Sequence, residues 1–321
     1  MNLTDSNYYS DEANKAYMSW SQFKAWVECP AGAHARFHAG TWSPKPKAAF
    51  VEGNYFHTAM LEPDKLAGYK LAFAREVCGV ERKKATPRAD WKFKKRTKAQ
   101  AAEGMAEDDV SLVYANVQTE DEPVAEWAQR VADAPVYSAY QRIDHCVRRM
   151  QQQEYIMEYL AISTGIEQAF TFTLGGMEWK CKLDVIGDGY ILDLKCMKDF
   201  EDVWSDTRRR KVPFWLPYGY HRQLTVYRHG ARQNGCPVET LLIAGITKQP
   251  TPAVALWEFP PDQFLVDDHG TISAEFEQWL TEIHLYKDGV ETPWRCGTCE
   301  YCRITTHITE ATPINIQEYD Q

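Results

Sequence analysis

The chain has 321 residues, 44% of them hydrophobic, and a formal net charge of −9, which gives apolar material for a large core and sets it apart from disordered proteins. No apolar stretch approaches the ~20 residues a membrane span requires, and no apolar segment follows a basic start, so neither a membrane protein nor an exported one is expected. The acidic balance argues against a protein that coats nucleic acid indiscriminately, and nine cysteines fit no even disulfide framework, so a reduced, cytoplasmic setting is expected.

Residues 1–17 read as a flexible acidic leader and 18–321 as a single domain. Ser19 with Gln22 makes a capping box that opens a short helix, carrying Phe23, Trp26 and Val27 on one side and ending near Cys29-Pro30. A second helix from about Ala48 to Leu61 brings Phe50, Phe56 and Met60 inward and contains His57. From about 78 to 122 apolar periodicity is lost and charge accumulates, the mark of an insertion. Two basic runs stand out on the acidic body, one between Arg82 and Lys98 with Trp91 and Phe93 interleaved, the other from Arg208 to Lys211. Within them Lys83, Lys84, Arg88, Lys94, Lys95, Arg96, Arg208, Arg209 and Arg210 are candidate contacts to DNA phosphates, against the plainer reading of a solvated charged loop.

Helical character returns between Val124 and Tyr159. Glu167–Leu174 then reads as a strand, breaks at Gly175-Gly176 and resumes as a long alternating strand, a β-meander. Pro217 can open a helix running to about Gln233, with Gly235 where a stop belongs. Strands over Leu241–Thr247 and Val254–Phe259 and a helix from about Ser273 to Tyr286 complete the pattern. The expected architecture is α/β (α+β): a central mixed sheet flanked by helices, with a helical N-terminal part and a C-terminal cysteine cluster.

The segment MEWKCKLDVIGDGYILDLKC, Met177–Cys196, carries the chemistry. Asp188-Gly189 suits a two-residue type I′ turn that sets Gly187 opposite Tyr190. Counting back, Val185 faces Leu192, Leu183 faces Leu194 and Cys181 faces Cys196 on an apolar side, while Ile186 meets Ile191, Asp184 meets Asp193 and Lys182 meets Lys195 on the other. Two carboxylates at cross-strand distance repel unless a cation sits between them. Hard oxygen ligands suit Mg²⁺ or Mn²⁺, which can supply a nucleophile for phosphodiester cleavage, and Lys195 could steady the water or the phosphate. The plain alternative is an amphipathic strand whose Asp and Lys residues alternate on a solvated face.

Asp184, Asp193-Leu194-Lys195, and Gln223 with Tyr227 in GYHRQLTVY resemble the active-site motifs of the PD-(D/E)xK nucleases, in the branch containing RecE (exonuclease VIII) and the RecB nuclease domain. His57, in GNYFHTAML, is similar to that branch's upstream histidine motif. The resemblance extends from about Ser19 to Cys302 and implies a restriction-endonuclease-like core. It further implies that His57, Asp184 and Asp193 bind metal with the Leu194 carbonyl, that Lys195 is the catalytic lysine, and that Gln223 and Tyr227 line the active-site groove. Four residues apart on a helix, those two share a face with Tyr220 and Leu224, which on composition alone would be core packing. Glu167, on the preceding strand, is a further candidate for the same cleft. The function implied is that of a Mg-dependent DNA nuclease, first an exonuclease on duplex ends in recombination or repair, with an endonuclease or single-strand nuclease as the variant and a non-catalytic DNA-binding module as the rival. A single-strand annealing recombinase and further copies of the chain are the partners such an enzyme would have.

Near the C-terminus RCGTCEYCR gives Cys296, Cys299 and Cys302 at two-residue spacings, three thiolates lacking a fourth ligand. Cys29 or His307 could supply it. Some RecB-related nucleases join one early and three late cysteines on a 4Fe-4S cluster, and the arrangement resembles theirs, although the late spacing here is tighter; zinc is the other metal considered. Cys78, Cys146, Cys181, Cys196 and Cys236 read as ordinary buried thiols.

Overall fold

The computed structural model describes residues 3–4, 7–45, 47–83, 87–93, 112–118, 122–206, 208–260, 265–267 and 269–307. They form two compact units, Met1–Leu61 with Arg142–Gln321, and Glu62–Gln141.

The first unit begins with α1 (Asp11–Ala16) and α2 (Trp20–Glu28). The Ser19 side chain accepts from the Gln22 N–H, the cap the sequence predicts and worth about 1 kcal/mol. The Gln22 side chain does not return the bond; its Nε2 donates to Asn14, so the box is half made. Tyr8 and Ala13 are buried, and the ammonium of Lys180 is held by the Tyr8 carbonyl and Asn14 Oδ1. The supposed leader is therefore in part a docked helix, because a lysine buried in the sheet needs acceptors. After α3 (Pro30–Ala33) comes α4 (Ala48–Leu61), which buries Phe56 and Met60 as expected, whereas Phe50 is 58% exposed.

The second unit holds α5 (Leu66–Ala72), α6 (Ala74–Cys78), an antiparallel pair β1 (Pro87–Phe93) and β2 (Leu112–Gln118), and α7 (Val124–Asp133). The segment read as a charged insertion thus contains a strand pair that its composition did not announce. Arg88 lies on β1 opposite Val117. Glu122 is bound by the Arg130 guanidinium at 2.7 Å and by the Lys83 N–H at 2.9 Å, and chiefly through Arg130 its carboxyl is held down at about 2.

The division of units falls within α8 (Ser138–Gln151), and α9 (Glu154–Ala161) leads into the main sheet. Its strands are β3 (Gly165–Leu174), β4 (Met177–Gly187), β5 (Gly189–Met197), β8 (Val238–Thr247) and β9 (Val254–Phe259), side by side in that order. Only β5 and β8 are parallel, which makes the sheet mixed. Between β5 and β8 run a small hairpin, β6 (Val203–Ser205) with β7 (Arg210–Val212), then α10 (Trp215–Tyr218) and α11 (Tyr220–Gln233). The continuous helix expected from Pro217 is broken at Gly219, whose φ of 67° belongs to the left-handed region and where a Cβ would crowd Trp20 at 3.3 Å. Helices α12 (Ala274–Lys287) and α13 (Glu300–Thr305) follow.

The core gathers on the sheet. Leu183, Ile191, Leu192, Leu194 and Leu241 are fully buried, and Phe23, Trp179 and Phe276 pack ring on ring, with centroids 4.9 to 6.1 Å apart. Truncating one such leucine to alanine costs about 2–5 kcal/mol. The β4–β5 hairpin has the predicted register, with Gly187 opposite Tyr190 and Val185 opposite Leu192. Of the two turn residues only Gly189 has positive φ, 79°, so the turn is not type I′, which needs it at both.

Candidate active site

The ladder between β4 and β5 stops at Val185 and Leu192, one step short of the two aspartates. The directly facing pairs expected beyond it, Asp184 with Asp193 and Lys182 with Lys195, do not form. Instead the Asp184 carboxylate reaches to β5, where Oδ2 accepts from the Leu194 N–H at 2.7 Å. Opening the ladder relieves the repulsion of two facing carboxylates, and each finds separate partners.

Asp184 Oδ1 lies 3.4 Å from His57 Nδ1, which α4 delivers against the sheet. Burial alone would push Asp184 up and His57 down; their mutual attraction outweighs it, holding the aspartate below and the histidine above its ordinary value. Asp193, 4% exposed, pairs with the Lys195 ammonium at 2.5 Å. Burial, opposed by Lys195 and assisted by Asp184, raises the Asp193 carboxyl. Lys195 also sits 5.3 Å from the Tyr220 ring, and its two carboxylate neighbours hold its ammonium above the usual range despite burial.

The third carboxylate comes from a distorted strand. Ile166 pairs with Val185 and Gln168 with Leu183, but Glu167, which falls opposite Asp184, makes no ladder pair and has a φ of 50°. A non-glycine residue in that conformation costs about 1–2 kcal/mol, and such distortions collect at functional sites. The Glu167 side chain lies 3.9 Å from His57 Nδ1 and 3.0 Å from Lys182 Nζ; burial first, then Asp184, raises its carboxyl. Ligand atoms of His57, Glu167 and Asp184 all fall within 4.8 Å of one another. Asp193 is not part of that trio, and the contact Leu194 makes is its N–H to Asp184.

Gln223 and Tyr227 share a face of α11 as their spacing predicts. Gln223 Nε2 donates to the Tyr227 hydroxyl at 2.9 Å and lies 3.5 Å from Asp193 Oδ1. Asp193 Oδ2 is buried and, beyond the close ion pair with Lys195, receives no well-directed hydrogen bond among the described residues. Two carboxylates and an imidazole converging, with a third buried carboxylate beside them, form a donor set that fits a hard divalent cation.

Of the candidate phosphate contacts, Arg208, Arg209 and Arg210 are exposed on and before β7, and Lys83 is exposed in the second unit. Lys84, Lys94, Lys95 and Arg96 lie outside the described residues, as does the side chain of Arg88.

The cysteine cluster assembles around Cys29. Its Sγ lies 3.6 Å from both Cys302 Sγ and Cys299 Sγ, and Cys296 Sγ is 3.9 Å from Cys302 Sγ. Backbone N–H groups of Cys299 and Thr298 draw the Cys296 thiol down to about 6, a thiolate ready to bind metal. Four thiolates on one tetrahedral ion at ~2.3 Å stand about 3.8 Å apart. The observed separations are close to that spacing, and the four sulfurs form a group able to hold a metal. His307 is exposed and outside this group. Of the remaining cysteines, Cys146 and Cys181 are buried as expected, while Cys78, Cys196 and Cys236 are only partly so. No described helix is long and apolar enough to cross a membrane.

Residues 19–305 match the model of a family described as "PDDEXK-like domain of unknown function (DUF3799)". Among solved structures, the chain is similar to one described as a "putative exonuclease" from Eubacterium rectale, at a TM-score of 0.70 and 23% identity, covering 100% of this chain and 98% of that one. At that identity the likeness establishes the fold. A second structure, of SSO0001, aligns over 56% of this chain with a TM-score of 0.27 and carries no argument. No curated protein matches the chain.

Proposed function

Because the chain belongs to the PDDEXK-like domain family, we propose that it is a metal-dependent DNA nuclease whose centre is formed by His57, Glu167, Asp184, Asp193 and Lys195. The observation that carries this reading is the convergence of His57, Glu167 and Asp184 beside the Asp193–Lys195 pair. Three carboxylates buried this close together would be costly in a fold selected for stability alone, even with His57, Lys182 and Lys195 beside them.

His57, Glu167 and Asp184 would hold Mg²⁺ or Mn²⁺, with Asp193 as the adjoining ligand. When bound, such an ion neutralises the scissile phosphodiester and acidifies a water. In the reaction a water oxygen gives up a proton to solvent and bonds to phosphorus, while the bond to the leaving sugar oxygen breaks and that oxygen takes up a proton from solvent. Lys195, fixed between Asp193 and Tyr220, presents its ammonium to the phosphate oxygens and stabilises the charge that develops there. Gln223, braced on Tyr227, orients the Asp193 carboxylate that positions Lys195.

Action on duplex ends, in recombination or repair, is the finer reading; the description of the Eubacterium rectale protein as a "putative exonuclease" supports the exonuclease part of it. Digestion of end-labelled linear duplex, nicked circle and single strand with Mg²⁺ tests both levels. Loss of linear duplex from its ends, abolished by chelation and in Asp184→Ala and Lys195→Ala, is expected. Cleavage insensitive to either variant sinks the site, and cleavage of circles as fast as linear duplex sinks the exonuclease reading. At the cysteines we propose one structural zinc ion, on the strength of the sulfur separations.

A further inference from the structure

Tyr220, whose ring lies 5.3 Å from Lys195 Nζ, stacks on Tyr218 at 5.6 Å, and the Tyr218 carbonyl accepts from Lys24 Nζ at 3.5 Å. Through these residues the active site adjoins a cavity of about 420 Å³ bounded by α2, the β6–β7 hairpin, the α10–α11 turn and α12. Its walls carry Lys24, Arg208 and Arg222, opposed by Glu28 as the one carboxylate, and the indoles of Trp20 and Trp279. Three cations against one carboxylate, on a chain of net charge −9, make this a local attractor for an anion. Aromatic faces beside cations are the means by which proteins hold unpaired nucleotides, stacking the base and neutralising the phosphate. The volume lies within the ~300–1,000 Å³ of small-ligand sites, room for one nucleotide.

We propose that this cavity is a subsite for a single unpaired nucleotide of the DNA strand adjoining the scissile phosphate, with the phosphate held by Lys24, Arg208 and Arg222 and the base laid against Trp279. The inference rests on the nuclease reading for the position of the strand. Lys24 is consistent with it: burial lowers its pKa, Glu28 opposes the shift in part and Lys195 adds to it, so a bound phosphate would favour the ammonium further. Trp20 Nε1, a buried donor with no acceptor among the described residues, belongs to the same wall. A strand held here would run past Tyr220 toward Lys195, which requires at least one base pair to open beside the cleavage point.

The test is a titration of the full chain with dAMP in metal-free buffer, read by tryptophan fluorescence, with adenosine as the phosphate-free control. A saturating quench by dAMP is expected, largely lost in Trp279→Phe, with half-saturation raised at least tenfold in the Lys24→Ala, Arg222→Ala double variant. Both variants are checked for native circular dichroism, and they avoid Trp20, whose loss would disturb the core. A dAMP quench equal in wild type and both folded variants, no quench in folded wild type, or adenosine binding as tightly as dAMP each overturns the proposal. Because no cleavage is read, failure of the nuclease reading shows separately, as a wild-type protein that cleaves no DNA substrate with Mg²⁺.

Discussion

Gln223 Nε2 lies between the Tyr227 hydroxyl, 2.9 Å away, and Asp193 Oδ1, 3.5 Å away, so a helix residue fixes the carboxylate that holds the Lys195 ammonium. Residues that orient a site at one remove are worth about 10–100-fold in activity. Gln223→Ala is therefore expected to lower kcat by that factor with little change in thermal stability, and Gln223→Glu to lower it further by adding a charge beside Asp193. A Gln223→Ala enzyme at full activity would remove this residue from the site.

Glu167 and Asp184 repel each other across β3 and β4, with burial adding to the cost at Glu167. A divalent cation should therefore stabilise the fold. Added Mg²⁺ or Mn²⁺ is expected to raise Tm in the wild type by a few degrees, about 1–2 °C for each kcal/mol of linked binding in a chain of this size. Glu167→Gln and Asp184→Asn should each lose most of that rise. Equal Mg²⁺ responses in all three proteins would place the ion elsewhere.

Lys180 is 2% exposed, and burial pulls its pKa down to about 8 from 10.5. The sign follows from proton binding: between pH 8 and 10.5 the unfolded chain holds the proton that the native state has shed, so the contribution of this group to stability rises with pH across that window. Lys180→Met should flatten that rise in denaturant-unfolding curves while leaving the remaining pH dependence in place. Parallel pH profiles for the two proteins would show Lys180 to be charged in the native state throughout.

The cysteine site gives a prediction in metal content. One zinc per chain, without the brown visible absorption of an iron–sulfur cluster, is expected from the wild type. Cys299→Ser should lose the zinc and lower Tm by about 10 °C, because binding to a structural site is folding free energy. Four iron atoms with labile sulfide per chain would overturn the single-ion reading.

Much of this was legible from residue order alone because register in a hairpin is arithmetic: Gly187 opposite Tyr190 set Val185 opposite Leu192, and the spacing of Gln223 and Tyr227 set their common face. Arithmetic failed one residue later, where the ladder ends and Asp184 turns to the Leu194 N–H, and a divergence of that kind has no periodic signature. Glu167 could be suspected from its strand, but its left-handed backbone could not. The docking of Tyr8 and Asn14 onto Lys180 was hidden for a different reason. A short polar segment tied down by a single buried ammonium carries no hydrophobic pattern, so it reads as a tail. Likewise Phe50 fits the inward stripe of α4 by period, yet lies on its open side.

Cys29 and Cys302 are separated by 273 positions and by 3.6 Å, a contrast that becomes a matter of timing during synthesis. At roughly 5–20 residues per second, Cys29 leaves the ribosome on the order of 15–50 s before its last sulfur partner exists. Through most of that interval α2, which walls the cavity beside Lys195, lacks the Trp179 and Phe276 rings it packs on, and the Cys29 thiol has no sulfur partner. If the cysteine site takes the proposed zinc, its loading must wait for the last of its four sulfurs, so metal shortage would leave the first helix unfastened in chains whose active-site strands are already complete.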